Sequence, residues 1–174
     1  MSKITIVESG MTFGPYDEEH CFRIEASATY KELGDGVKIP EFLLLRFDVT
    51  NPPHVWVIEA KSSAPQPTTE LDFAEYMDEI RQKLTNGLGL GIASILKRHS
   101  SAAGELSTEF KNLDLATCKF RLVLIINGHK DDWLPQLQDA LNKTLRSIVK
   151  TWALGASAVA VLNEEGARKH GLIV

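Results

Sequence analysis

The segment from His54 to Lys61, H-V-W-V-I-E-A-K, constrains the fold more than any other stretch of this chain. Side chains alternate along a strand, so Val55, Val57, Glu59 and Lys61 share one face while Trp56, Ile58 and Ala60 share the other. Both faces are apolar as far as Glu59, the pattern of a strand covered on both sides. A carboxylate and an ammonium at the end of such a strand carry a desolvation cost that a structural position would avoid. Glu59 and Lys61 are therefore candidate site residues.

Residues 40–49, P-E-F-L-L-L-R-F-D-V, predict a second apolar strand. On it Glu41, Leu43, Leu45 and Phe47 share a face, so Glu41 points where core residues point. The connection T-N-P-P carries turn chemistry, and Pro52 and Pro53 are expected to stay out of the ladder. The two strands then fold back as a hairpin, which returns Glu59 and Lys61 to the end that holds Glu41.

This constellation resembles the PD-(D/E)xK nuclease superfamily. Pro40-Glu41 matches the first element, with Glu where the family carries Asp, and Glu59-Ala60-Lys61 matches the second. The likeness spans roughly residues 20 to 127. It implies a restriction-endonuclease-like α/β fold, a central mixed sheet flanked by helices, over a single domain of residues 1–174. It also implies a metal-dependent nuclease, a hydrolase of phosphodiester bonds. By resemblance, Glu41, Glu59 and the Ala60 carbonyl would hold Mg2+ or Mn2+, hard cations suited to oxygen ligands. Lys61 would orient or deprotonate the attacking water, and Glu25 would supply the acid that many members carry on the first helix. Lys83, on the helix after the motif, stands where relatives carry a residue facing the site or nucleic acid. The partners implied are nucleic acid, DNA in particular, and a second copy or another subunit to supply specificity. The rival reading is a catalytically silent nuclease-like domain serving as an assembly or nucleic-acid-binding subunit. A weaker one is an α/β module binding a small anionic ligand at the same strand ends.

Composition fits one globular domain, with 44% hydrophobic and 24% charged residues. No 18-residue apolar run and no signal-peptide pattern are present, so no membrane span is expected and a cytoplasmic location is. Cys21 and Cys118 are too few for a disulfide framework. The five histidines show no ligand spacing, which makes zinc improbable. A net charge of −4 argues against a generic nucleic-acid coating protein.

Along the chain, Ile4 to Val7 is expected as an edge strand, and Phe22 and Ile24 alternate like a strand. Ser27 caps a short helix ended by Gly34. A long helix is expected over residues 70–99, from the helical spacing of Phe73, Tyr76, Met77, Ile80, Leu84, Leu88, Ile92 and Ile95. Gly87 and Gly91 would let that helix approach the sheet closely; no strand precedes them, so they are no dinucleotide-binding turn. Residues 100–118 are expected to be polar and irregular, and Glu109-Phe110-Lys111, a second match to the short motif, reads as solvated. Phe120 to Ile126 predicts a buried strand parallel to 54–61, because a long crossover joins them. A helix follows over 132–151 with its leucines to the core. Lys143, Arg146 and Lys150 recur on its other side, either as phosphate contacts or as a solvated face. Ala158 to Leu162 closes the sheet, with Asn163 capping a last helix.

Overall fold

A computed structural model describes residues 1–174. Its centre is a five-stranded mixed sheet in the order β3-β4-β5-β6-β7, formed by Cys21–Phe22, Phe42–Asp48, Asn51–Lys61, Lys119–Ile126 and Val159–Asn163. β4 and β5 are antiparallel, with Phe42 opposite Ile58, and β6 runs parallel to β5, with Glu59 opposite Leu124. β7 is parallel to β6. The chain is an α/β fold with β5 at the centre of the sheet, as the two apolar faces of that strand require.

Each face of the sheet has its own cover. On one, Leu43, Leu45, Val55, Val57, Leu122 and Leu124 pack under α2 (Glu70–Ile95) and α5 (Leu134–Thr144). On the other, Phe42, Leu44, Trp56, Ile58 and Val123 pack under a separate hairpin, β1 (Lys3–Glu8) with β2 (Met11–Asp17), and under the chain end after α7 (Glu164–Lys169). The Ile4–Val7 segment thus pairs with a partner strand outside the main sheet. Ser9 (φ 51°) and Gly10 (φ 77°) form the two-residue turn, a geometry that suits a right-twisted hairpin.

Three expectations change. The β4–β5 turn is Val49-Thr50, and the strand resumes at Asn51, so Pro52 and Pro53 lie inside β5. They are tolerated because the register shifts there, between the pairs Arg46–His54 and Asp48–Asn51, and because β6 pairs only from His54 onward. Residues 100–118 are not irregular throughout: α3 (Ala102–Glu105) and α4 (Thr108–Lys111) bury Ala102 and Phe110, and the extended Leu106 between them is buried as well, all three hidden in the sequence by polar neighbours. The helix expected over 132–151 is divided at Leu145 into α5 and α6 (Arg146–Thr151), which follow a 3-10 turn at Asp131–Trp133.

Helix α1 (Ala28–Glu32) starts as expected, with the Ser27 hydroxyl accepting from the Tyr30 amide, and Asn163 caps α7 through the Gly166 amide. α2 spans 26 residues and ends four earlier than expected. Its glycines do what their spacing suggested. A Cβ on Gly87 would sit 2.4 Å from Pro40 Cγ and 2.9 Å from Val57 Cγ1, and one on Gly91 would sit 2.6 Å from Leu43 Cδ1. Gly89, exposed on the same helix, meets nothing within 4 Å. Gly87→Ala should therefore destabilise the protein by about 1–3 kcal/mol through overpacking, whereas Gly89→Ala should stabilise it by up to about 1 kcal/mol through helix propensity. Urea midpoints of the two variants check both signs.

Candidate functional site

The carboxyl ends of parallel β5 and β6 lie at one edge of the sheet, where open α/β sheets commonly bind ligands. β4 begins at that edge. Extending the β4–β5 register by one residue from Phe42–Ile58 sets Glu41 across from Glu59, with both side chains on the α2 face. Glu59 is completely buried and Glu41 nearly so.

Glu59 is held from helix α2. Lys83 Nζ donates to Glu59 Oε1 at 2.8 Å, and Lys61 Nζ lies 3.4 Å from the same oxygen. Lys61 also donates to Glu79 Oε1 at 2.6 Å. Tyr76, Glu79 and Lys83 recur at three- and four-residue spacing, so one stripe of α2 faces the strand ends. Burial pushes the Glu59 carboxyl above its ordinary value, against the pull of Lys83 and Lys61. Burial also disfavours the Lys83 ammonium, but Glu59 more than offsets this, and Lys83 stays a cation at neutral pH. The hydrogen bond from Lys61 holds Glu79 below the usual carboxylate range. Two polar atoms here have no partner: Glu59 Oε2 and the Tyr76 hydroxyl.

Beside this ion-paired group stands a purely acidic one. Carboxylate oxygens of Glu8, Glu25 and Glu41 all lie within 4.8 Å of one another, a spacing that could hold a metal ion. Glu8 comes from the end of β1. Its hairpin tip is fastened to the sheet edge: Ser9 Oγ donates to the Ala60 carbonyl at 3.0 Å, and Asn127 Nδ2 donates to the Ser9 carbonyl at 3.0 Å. Gly10 leaves room for that asparagine, because a Cβ there would sit 2.6 Å from Asn127 Nδ2. Glu25 lies in the turn between β3 and α1, not on the first helix, and its amide meets the Glu41 carbonyl at 3.5 Å. Burial, a hydrogen bond shared with Glu25 and the charges of Glu59, Glu25 and Glu8 push the Glu41 carboxyl up to about 9.

The expected residues therefore gather in two adjoining groups. Glu41 and Glu25 join Glu8, while Glu59 and Lys61 join Lys83 and Glu79. Lys83 faces inward onto Glu59, and the Ala60 carbonyl accepts from Ser9. Lys143, Arg146 and Lys150 lie exposed on α5 and α6, remote in sequence from these elements. Two residues were missed. Glu8 ends the inward alternation Ile4, Ile6, Glu8, the same signature that marks Glu59, and Glu79 stands four residues before Lys83 on one helix face. Comparison with family models, with curated proteins and with solved structures finds no match, so the reading of this site rests on its own geometry.

A carboxyl that binds its proton more tightly in the folded chain favours folding at low pH and loses that contribution as pH rises through its folded value. For Glu41 the window runs from the ordinary value of 4.5 to about 9. Metal-free protein should lose thermal stability across it. Glu41→Gln, which mimics the protonated acid, should flatten the slope and raise the melting temperature at pH 8 in EDTA. An unchanged slope in melting curves would assign the titration to another group.

Proposed function

We propose that this chain is a metal-dependent nuclease of the PD-(D/E)xK type, with a restriction-endonuclease-like arrangement of its sheet, hydrolysing phosphodiester bonds of nucleic acid. The observation that carries the reading is the convergence of Glu8, Glu25 and Glu41 beside the Glu59–Lys61 pair at the end of the central strands. The donor set suits a hard divalent cation: three carboxylates within reach of one ion, one of them retaining a proton that a cation would displace. Glu41, Glu25 and Glu8 would hold Mg2+ or Mn2+, with Glu59, whose Oε2 has no partner, close enough for its charge to act on Glu41. When bound, the ion supplies Lewis-acid polarisation of a phosphate oxygen and offsets charge at phosphorus.

The remaining roles fall to the chain's own groups. Lys61, about one-quarter exposed, can donate to a water or a phosphate oxygen while Glu79 and Glu59 hold its ammonium from two sides. Lys83 fixes Glu59 and lies too deep to follow a nucleic-acid backbone. In-line attack by water forms a new phosphorus–oxygen bond as the bond to the leaving oxygen breaks.

Purified protein should cleave DNA or RNA only with Mg2+ or Mn2+, and EDTA should abolish cleavage. Lys61→Ala should lower the rate by about 100-fold or more at unchanged metal affinity, since it acts on the water and not on the ion. Equal cleavage by Lys61→Ala would sink the mechanism. Mn2+ binding at pH 7 should release about one proton, seen as a buffer-dependent heat in calorimetry, because Glu41 must ionise to ligate.

The alternative, a catalytically silent domain used for assembly or nucleic-acid binding, is favoured by one observation. Glu59 Oε1 is shared by two lysines and the Ala60 carbonyl is taken by Ser9, so the motif is satisfied internally. Metal binding with proton release but no cleavage of any DNA or RNA would select it.

A further inference from the structure

Trp56 and Glu59 are three residues apart on β5, so they project from opposite faces with about 10 Å of strand between them. Around Trp56, away from the carboxylates, the sheet carries concentrated positive charge. The register sets Arg46 opposite His54, and His54 opposite Lys119, in one row across β4, β5 and β6. The next row sets Trp56 opposite Arg121. All five side chains point to the face covered by the β1–β2 hairpin and the chain end after α7, where Trp56 is itself buried under that cover.

Both guanidiniums rest on one indole: Arg46 Cζ lies 4.8 Å and Arg121 Cζ 4.5 Å from the Trp56 ring centre. Arg46 Nη1 donates to the His170 carbonyl at 2.6 Å, and Arg121 Nε is buried with no hydrogen-bond partner. None of the eight ion pairs in the structure involves Arg46, Arg121 or Lys119. Asp48 is the one carboxylate on the adjoining cleft, at its rim, and its side chain accepts from Asn51. Like charges directly across a ladder repel. Here that repulsion acts on His54 and Arg121 as well, whose charged forms are disfavoured first by burial and then by the neighbouring cations. Lys169 and His170, at the end of α7, close the other side of a cleft of about 420 Å³. Planar guanidinium forks match phosphate oxygens in pairs, and the indole fixes their planes in advance.

We infer that this cleft is a second binding site, for a multiply charged phosphate group, formed by Arg46 and Arg121 on Trp56, with Lys119 adding positive charge from the neighbouring row. The anion supplies the counter-charge that the fold withholds from these cations. The site shares no residue with the carboxylate edge and stands independently of the nuclease reading. Its ligand is recognised by the phosphate itself, whether inorganic or borne by a nucleotide.

The test is calorimetric titration of the intact chain, in EDTA so that the carboxylate edge cannot recruit phosphate through a metal, with inorganic pyrophosphate and separately with a nucleoside diphosphate. Wild-type protein should bind both, with affinity falling as salt rises. Arg121→Gln should weaken binding about 10- to 100-fold, as expected for a lost charge-assisted contact. Lys119→Gln, an exposed change that leaves the indole stack in place, should weaken it less, and Lys31→Gln on α1 not at all. Arg121→Lys, which keeps the charge but loses the fork, should recover only part of the affinity and covers the case in which the Gln variant fails to fold. Equal affinities for the two probes assign recognition to the phosphates, and tighter binding of the nucleotide adds a contact from its nucleoside. No binding of either at millimolar concentration overturns the inference, as does binding that folded Arg121 and Lys119 variants retain in full.

Discussion

Burying the Glu59 carboxylate at the end of the central strand costs several kcal/mol unless its charge is compensated, and much of the surrounding architecture provides that compensation. Lys83 is the principal partner, and it reaches Glu59 only if helix α2 lies close to the sheet. Gly87, one turn beyond Lys83, permits this by admitting Pro40 and Val57 where a side chain would stand. Pro40 in turn precedes Glu41. The close helix approach, the buried ion pair and the position of the neighbouring acid are therefore parts of a single packing solution.

The second determinant is the β1–β2 hairpin, which belongs to neither the helical layer nor the main sheet. Its tip is held by Ser9 and Asn127 against the last residues of β5 and β6, and this delivers Glu8 to Glu25 and Glu41. Burial of Glu41 and its closeness to the other acids oppose folding at high pH, and the high proton affinity of Glu41 is the form that this cost takes. The far side of the same sheet shows the opposite imbalance, with cations stacked on Trp56 and almost no acid.

Much of this was legible in the chain itself. Alternation alone fixed which residues of β4 and β5 share a face, and the crossover length fixed that β6 runs parallel to β5. Helical spacing found α2 and the reason for Gly87 and Gly91. Side-chain caps at Ser27 and Asn163 were readable because they depend on neighbours three residues away. Where expectation failed, a long-range term had overridden a local rule. Pro52 and Pro53 enter a strand because a bulge and the short reach of β6 remove the hydrogen bonds they lack. The α3–α4 segment is ordered because the core accepts Ala102, Leu106 and Phe110, whatever the polarity between them.

The sequence by itself determined the central sheet and the presence of Glu41, Glu59 and Lys61 at one edge of it, because periodicity and turn chemistry act over a few residues. Only the tertiary structure decided how those charges are shared. Glu59 went to Lys83 and Lys61, Glu41 to Glu25 and Glu8, and Arg46 and Arg121 to a single indole. Such pairings depend on elements distant in the chain meeting within a few ångströms, and electrostatic energies at that range are set by three-dimensional distance and burial, which no local pattern encodes.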